Sequence, residues 1–214
     1  MKVVFDHWPE LWHGLVKTIG LTLGGFAIGT LIGVTVAVFR VSPIRPLRVV
    51  GAVYVGFTVN SPLVFLVYLA FYGVPKLGLL INEFRTAMLA VAIYLGGYIA
   101  EALRAGMMTV PNGQVEAARS VGLTFAQTLR FVVLPQAFRS SVGPMAVLLN
   151  ATYRNVAVAG IIGVLELVKA GKNAGEMTAR PFPFFAAQFV VFVVLGLATG
   201  AVAQRVDHRV AVRR

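Results

Sequence analysis

Residues 114–135 read QVEAARSVGLTFAQTLRFVVLP, a polar and basic segment in a chain that is otherwise mostly apolar. The stretch from Gln114 to Val121 can form two turns of helix, and Gly122 can adopt the positive φ that ends a helix. Thr124 and Gln127 stand at the spacing of a capping box, which begins a second helix. The sequence therefore predicts two short helices that meet at a bend.

The predicted bend is suited to docking on another protein. Ala117 and Ala118 add little bulk, so a partner can approach the first helix closely. Four neighbouring residues can supply apolar contact to that partner: Val115, Leu123, Phe125 and Leu129. Pro135 suits the first turn of the following helix, because the N–H that proline lacks would be unpaired there. We therefore interpret residues 111–135 as a docking loop, and the alternative is an ordinary amphipathic connection between membrane helices.

Composition identifies an integral membrane protein. The 214 residues are 58% hydrophobic and only 13% charged, against about a quarter charged in soluble domains. This length suits one membrane domain, residues 1–214, and leaves no room for a soluble catalytic domain. The absence of cysteine excludes disulfides, thiolate metal sites and cysteine nucleophiles. His7, His13 and His208 lack metal-ligand spacing, so neither a metal site nor a catalytic residue is predicted.

Apolar stretches predict an all-α fold with about five transmembrane helices. Residues 19–39 contain no charge over 21 positions, enough to cross the ~30 Å hydrocarbon core at ~1.5 Å per residue. The other stretches are residues 49–75, 85–104, 140–165 and 182–203. Small residues in the first stretch form a smooth stripe for close helix packing. This stripe consists of Gly20, Gly24 or Gly25, Gly29 and Gly33.

Two polar segments complete the predicted arrangement. Residues 1–16 are predicted to form a short helix in the membrane interface, because their large apolar residues fall near one helical face. Residues 169–181, KAGKNAGEMTARP, are polar and contain glycine, so we expect a loop outside the bilayer. This segment is not a phosphate-binding loop, since the pattern GxxxxGK[ST] occurs nowhere in the chain.

Polar residues within the apolar stretches mark a candidate substrate pathway. Asn60, Ser61 and Pro62 interrupt the second stretch, where the proline frees a backbone carbonyl at membrane depth. A kink that serves only packing explains these three residues equally well. Arg154 and Asn155 divide the fourth stretch into two pieces too short to span alone. Arg154 either faces the pathway at a helix break, with Asn155 satisfying freed backbone groups, or reaches the outer interface.

Charged residues near the helix ends predict one ion pair and the orientation. Glu101 can pair with Arg104 or with Arg119 at the edge of the docking loop. With the N-terminus outside, 11 of the 19 basic residues lie inside: Arg40, Arg45, Arg48, Arg104, Arg119, Arg130, Arg139, Arg205, Arg209, Arg213 and Arg214. This bias places the docking loop and the C-terminus in the cytoplasm. The basic residues are spread over the loops, so nucleic acid is not an expected partner.

The docking loop resembles the signature loop of the membrane subunits of ATP-binding-cassette importers. Glu116-Ala117-Ala118, Gly122 and Val132-Val133-Leu134-Pro135 reproduce the pattern EAA, three residues, G, nine residues, I/V, any residue, LP. Other segments look like permeases for polar amino acids: Tyr98-Ile99-Ala100-Glu101, Arg104-Ala105-Gly106, Gly113-Gln114, Asn60-Ser61-Pro62-Leu63 and GIIGVLE at 160–166. FRVSPIRPLR at 39–48 resembles the glutamate-type permeases of actinobacteria. The resemblance covers roughly residues 10–210.

The resemblance implies a type I importer fold with five transmembrane helices, in the bacterial plasma membrane. It implies a cytoplasmic ATPase dimer, a second permease and an extracytoplasmic amino-acid-binding protein as partners, besides membrane lipid. ATP and Mg²⁺ would be bound by the ATPase, so this chain would hold no cofactor and catalyse no reaction. Coupling to the ATPase would fall to Gln114, Glu116, Ala117, Ala118, Arg119, Gly122, Leu134 and Pro135.

Two departures from the family pattern bear on the substrate. Val59 stands where the family commonly has arginine, and Val156 stands where it has a hydroxyl residue. A second permease that is related but not identical is therefore favoured over an identical one. The predicted function is ATP-driven uptake of glutamate, glutamine or aspartate, with basic amino acids, opines or another zwitterionic solute as alternative cargo. A secondary transporter is a further alternative, but the sequence shows no internal repeat and no intramembrane carboxylate cluster.

Overall fold

The computed structural model describes residues 2–210, with side chains up to Val206, and this part of the chain is all-helical without a β-strand. The helices are α1 (Lys2–Asp6), α2 (Trp8–Val41), α3 (Arg45–Asn60), α4 (Leu63–Gly73), α5 (Glu83–Met108), α6 (Asn112–Ser120), α7 (Phe125–Thr128), α8 (Leu134–Ser140), α9 (Val142–Asn155), α10 (Leu167–Met177) and α11 (Pro181–Val210). Two 3₁₀ segments, Val74–Leu77 and Val156–Ile162, and a π-helix, Leu129–Val133, continue them. The tail residues of the orientation prediction, Arg209, Arg213 and Arg214, and His208 lie outside the residues whose side chains are described.

Helices α2 and α5 pack closely at the centre of the molecule. Three glycines of α2 face side chains of α5, in the pairs Gly25–Val91, Gly29–Leu95 and Gly33–Ile99. A Cβ atom at Gly33 would lie 2.5 Å from Ile99 Cγ2 and 3.1 Å from the backbone nitrogen of Ala100. Only glycine permits such an approach, so the predicted stripe is confirmed as the surface of α2 that contacts α5.

About five membrane spans are present, as predicted. Four segments are long and apolar enough to cross a bilayer: Trp8–Val41, Glu83–Met108, Val142–Ile162 and Pro181–Val206. The pair Arg45–Asn60 and Leu63–Leu77, bent by 106°, makes a fifth candidate if the two helices count as one span. At this bend the Tyr98 hydroxyl donates to the Val59 carbonyl at 3.1 Å. Helix α5 therefore satisfies a backbone group that the interruption would otherwise leave unpaired.

The fourth span remains helical across Arg154 and Asn155. Helix α9 ends at Asn155, but the chain continues as a 3₁₀ helix to Ile162, and Val156 has φ −66° and ψ −14°. These turns together form one candidate span of 21 residues. The prediction that this pair divides the stretch into two pieces too short to span is therefore wrong. Tighter 3₁₀ winding takes the place of a break.

Residues 169–181 were expected to be a loop, but most of them belong to α10. The helix buries small or apolar residues at the spacing of one helical face: Leu167, Ala170, Gly171, Ala174 and Gly175. This face packs against α2 and α11. Lys172, Asn173 and Glu176 on the other face remain exposed. The loop prediction fails because small residues suffice to bury a helix against close neighbours.

A second, smaller core joins α1, α2, α10 and α11 at one end of the molecule. Its buried residues are Val4, Leu11, Leu167, Ala170, Ala174 and Phe184. The single helix predicted over residues 1–16 is divided: Lys2–Asp6 forms α1, whereas residues 8–16 are the first turns of α2. Trp8 and Trp12 stack with ring centroids 6.2 Å apart and remain exposed, as befits residues near a membrane interface.

Candidate functional site

The docking loop begins with α6, which ends in a Schellman motif. The Gly122 N–H donates to the Arg119 carbonyl at 2.9 Å, and the Leu123 N–H donates to the Ala118 carbonyl at 3.1 Å. These two hydrogen bonds define the motif. Gly122 has a φ of +87°, a conformation that glycine adopts without strain. Gly122 thus ends the first helix, as the sequence predicts.

The second half of the docking loop begins with the predicted capping box. The Gln127 N–H donates to the Thr124 hydroxyl at 3.3 Å, and the Thr124 N–H donates to the Gln127 side-chain oxygen at 2.9 Å. The following residues, Leu129–Val133, wind as a π-helix, and Pro135 lies in the first turn of α8. The docking loop is therefore two short helices on either side of a bend whose hydrogen bonds are all local.

One face of the docking loop is open. The predicted coupling residues that are exposed are Gln114, Glu116, Ala117, Arg119, Gly122 and Pro135, and Leu134 is half-buried. Ala118 is only 8% exposed, so of the two alanines Ala117 is the one that leaves the surface of α6 open to close approach. In the Schellman motif the backbone of Leu123 returns to the Ala118 carbonyl.

The apolar side chains of the docking loop turn inward. Val115 and Phe125 line an open groove of about 460 Å³ whose other walls include Val41 of α2 and Met107 of α5. Leu129 is buried. Leu129 is therefore enclosed by its own chain, whereas Val115, Leu123 and Phe125 are half-buried, and their contact with a partner stays a prediction. The loop is also tied to α8, since the Gln136 amide donates to the Gln114 side-chain oxygen at 2.6 Å.

A carboxylate joins two spans beside the docking loop. The Glu101 carboxylate accepts hydrogen bonds from Arg40 at 2.7 Å and from Arg104 at 2.9 Å. The predicted pair with Arg104 is confirmed, whereas the alternative partner, Arg119, is wrong because it lies exposed on α6. Arg40, near the end of α2, is a partner that the sequence did not reveal. The three charges hold the ends of α2 and α5 together.

The bend between α3 and α4 contains the first predicted pathway residues. The Asn60 side chain donates to the Gly56 carbonyl at 2.7 Å, so its amide supports the last turn of α3. Ser61 and Pro62 are extended, and Pro62 precedes the first residue of α4 with φ −62° and ψ +133°. Asn60 and Pro62 are nevertheless exposed.

The second pathway segment lies at a different surface. Arg154 lines a groove of about 510 Å³ between α9 and α11, with Asn150, Tyr153, Phe189, Phe192, Val193, Gly196 and Leu197. None of Asn60, Ser61 and Pro62 is among these lining residues, so the structure does not unite the two predicted segments in this groove. Within residues 2–206, Arg154 makes no side-chain hydrogen bond or ion pair. Within the same residues the Asn155 side chain makes no hydrogen bond, so its predicted role in satisfying backbone groups is not seen.

The groove of Arg154 lies along the middle turns of α11. Phe189 and Phe192, which share its groove, stand 8 and 11 residues after Pro181, where α11 begins. At ~1.5 Å per residue, these positions are about 12–17 Å from that end of the helix. An unpaired arginine within a membrane span faces a cavity, a partner or a ligand, or it extends to the interface, so both predicted alternatives for Arg154 remain open.

Two further structural residues were missed by sequence reasoning. Tyr98 was recognised only as part of a motif, although it completes the bend at Val59. Glu166 is buried at the start of α10, and the signal was an acidic residue directly before a helical pattern. Among the side chains described, residues 2–206, there is no group of three histidine or acidic residues placed to hold a metal.

Comparison with known proteins identifies the type of molecule that this arrangement resembles. The profile of a family described as binding-protein-dependent transport system inner membrane component matches residues 29–212. The chain is 34% identical to the glutamate transport system permease protein GluC of Corynebacterium glutamicum, over 92% of each chain. It is 31% identical to the probable glutamine ABC transporter permease protein GlnM of Bacillus subtilis, over 94% of each. A crystal structure of an amino acid ABC transporter with histidines superposes with a TM-score of 0.87 at 28% identity, over 96% of each chain.

Proposed function

Because this chain belongs to the family of binding-protein-dependent transport system inner membrane components, we propose that it is the permease subunit of an ATP-driven importer of polar amino acids. The docking loop is the observation that carries this proposal. It is a bent pair of short helices between two membrane spans, fixed by the Schellman motif at Gly122 and the capping box at Thr124. Such a loop offers a soluble partner a surface of defined shape.

The docking loop transmits movement from a cytoplasmic ATPase dimer to the membrane spans. Glu116 and Arg119 on its exposed face contact the ATPase, which binds ATP and Mg²⁺. The Gln114–Gln136 hydrogen bond connects α6 to α8, and the bonds of Glu101 connect the ends of α2 and α5. A displacement of α6 is therefore passed first to α8, which packs against α5, and then through the Glu101 cluster from α5 to α2.

The docking loop and the C-terminus face the cytoplasm, and the N-terminus faces outward. The charge cluster supports this orientation, because Arg40 and Arg104 meet at Glu101 on the side of the docking loop. Arginines near helix ends mark the cytoplasmic side of membrane proteins. The second core, which contains Val4 and Phe184, then lies at the outer end.

Arg154 and the bend at Asn60–Pro62 line the substrate pathway. The groove of Arg154 is formed by α9 and α11, the two candidate spans with the smallest buried share within this chain. A second permease on that face would enclose Arg154 and leave it free to attract a substrate carboxylate. An arginine facing lipid would instead cost about 2.5–3.5 kcal/mol on translocon scales.

The cargo is proposed to be glutamate, glutamine or aspartate. GluC is a glutamate permease and GlnM a probable glutamine permease by name, and Arg154 favours a solute that carries a carboxylate. Basic amino acids and opines also carry a carboxylate, so competition experiments must rank them. The extracytoplasmic binding protein delivers the solute to the outer end.

Reconstitution tests the proposed function. Affinity purification of this chain from its own membranes, followed by mass spectrometry, should recover an ATPase and a second permease. The complex in ATP-loaded vesicles, with its binding protein outside, should take up labelled glutamate or glutamine after an ionophore has collapsed the proton gradient. Vesicles loaded with a non-hydrolysable ATP analogue are the control. Uptake that stops when the gradient collapses at constant ATP would identify a secondary transporter instead.

A further inference from the structure

Glu166 is a buried acidic residue to which the proposed transport cycle assigns no role. It is 1% exposed and lies between the 3₁₀ helix Val156–Ile162 and α10. Its two carboxylate oxygens accept from the Lys169 N–H at 2.7 Å and from the Val168 N–H at 2.8 Å. The Lys169 ammonium in turn donates to the Gly160 carbonyl at 2.7 Å. The carboxylate thus caps α10, and the lysine connects α10 back to the 3₁₀ helix.

The cap is complete, because every early N–H group of α10 has a partner. The Leu167 N–H donates to the Thr18 hydroxyl of α2 at 3.0 Å, and the Ala170 N–H donates to the Glu166 carbonyl at 2.8 Å. Gln188 of α11 donates its amide to the Leu167 carbonyl at 2.8 Å. The first four N–H groups of a helix lack partners within the regular helix. Here the partners come from Glu166 and from Thr18 of α2, so the start of α10 is bonded to its neighbours. We call these contacts, which join α2, α10, α11 and the 3₁₀ helix, the Glu166 junction.

The junction depends on acceptor geometry. Burial raises the pKa of Glu166, whereas the N–H groups of Val168 and Lys169 and the Lys169 ammonium lower it in part. A glutamine side chain would supply one acceptor oxygen in place of two, and its amide hydrogens would face a donor. The change from Glu166 to glutamine is therefore small in volume but removes half of the cap.

The junction is connected to Arg154 through a short and buried segment. The 3₁₀ helix begins directly after Asn155, and Gly160 lies within it. Val156, Ala159 and Ile162 of this 3₁₀ helix are buried in the large core that α2 and α5 form at the centre of the molecule. Packing therefore holds one side of the 3₁₀ helix, and the Glu166 junction holds its C-terminal end. Arg154 stands just before the N-terminal end of the 3₁₀ helix, so the packing and the Glu166 junction together set its position.

We propose that Glu166 is a positioning residue for transport, which holds the 3₁₀ helix through Lys169 and Gly160 and thereby holds Arg154 in the substrate pathway. This inference rests on the proposed function, because it assigns Arg154 to the substrate. The junction also makes four elements move as one body at the outer end of the molecule. When the docking loop moves, the helices therefore shift relative to one another at the inner end, near the docking loop, and not within the junction.

Transport kinetics of the complete transporter test the positioning role. Glu166→Gln should raise the KM for amino-acid uptake about tenfold, while the maximal rate per transporter and basal ATP hydrolysis stay within about twofold. The matched control is Glu176→Gln, which makes the same change at an exposed residue of α10 that pairs only with exposed Lys172 at 3.7 Å. The control should keep the parental KM.

A distance measurement reports on the junction without any cargo. Because the chain has no cysteine, the exposed residues Ile161 and Asn173 can be replaced by cysteine and spin-labelled. Electron–electron resonance on the assembled transporter should give a narrow distance distribution between these labels. Glu166→Gln should broaden it, and Glu176→Gln should leave it narrow.

A second variant decides the matter if Glu166→Gln lowers the amount of assembled transporter. Lys169→Met removes the bond to Gly160 and the ammonium charge near Glu166, but it keeps both backbone N–H groups that the Glu166 carboxylate caps, so it should broaden the distances and raise KM by about threefold. A parental KM in both variants overturns the proposal, and so do broadened distances with an unchanged KM, since the junction would then be structural only. Failure of the wild-type complex to take up any polar amino acid would refute the proposed function, whereas unbroadened distances would refute the junction.

Discussion

Gly122→Val should weaken the coupling of ATP hydrolysis to transport. Gly122 has a φ of +87°, and a left-handed conformation costs a residue with a side chain about 1–2 kcal/mol, with β-branched residues at the upper end. A Cβ at Gly122 would have no other atom of the described chain within 4 Å. The cost is therefore backbone strain without a steric clash inside this subunit. At 1.4 kcal/mol per factor of ten, the bent form should lose about five- to thirtyfold against straightened forms of the docking loop.

The assay is the number of solute molecules transported per ATP hydrolysed by the complete transporter in vesicles. Gly122→Val should lower this ratio at least several-fold, with normal insertion, because the strain is confined to the docking loop. Gly122→Asn is the matched control, since asparagine tolerates the left-handed region better than other residues with side chains. Normal coupling by the valine variant would refute the reasoning. An equal loss in both variants would assign the effect to side-chain bulk at the ATPase contact instead.

Three further predictions concern the docking loop, the pathway and the packing of the spans. Glu116→Lys reverses a charge on the exposed face of α6, so it should abolish capture of the purified ATPase at normal permease abundance; undiminished capture would exclude Glu116 from the contact. Arg154→Met should lower uptake more than tenfold at equal permease content and basal ATP hydrolysis, and Arg154→Lys should retain part of it, whereas a fully active methionine variant would leave Arg154 as an interfacial anchor. Gly33→Leu should destabilise the protein by roughly 1–3 kcal/mol through overpacking against Ile99, seen as a lower unfolding temperature in detergent. Gly56→Leu, where a Cβ meets nothing within 4 Å of the described chain, should unfold at the parental temperature.

The docking loop could be predicted from the sequence because its determinants are local. The Schellman bonds join residues three and five positions apart, and the capping box joins Thr124 to Gln127. The glycine stripe of α2 was also readable, since helical periodicity alone brings its members to one face. These features required no knowledge of which helices are neighbours.

The features that the sequence did not predict depend on contacts between distant parts of the chain. Arg40 and Glu101 are 61 residues apart, and nothing near Glu101 distinguishes Arg40 from any other arginine. Val115 and Phe125 line a groove together with Val41 of α2 and Met107 of α5, and the sequence does not show that these helices lie beside the docking loop. Helix α10 is a different case, because its pattern was present in the sequence. Its buried face is made largely of alanine and glycine, which are also common in loops.

The Glu166 junction sets the order in which this chain can complete its structure. Thr18 and Leu167 are 149 residues apart, and at about 5–20 residues per second the ribosome needs on the order of ten seconds to make that interval. Val4 and Leu11 wait longer still for their contact with Phe184 in the second core, because Phe184 is made after Leu167. The first turns of α2 therefore spend this time in the membrane without their final neighbours. A nascent chain that stops before α10 therefore lacks both the contact of Thr18 with Leu167 and the second core.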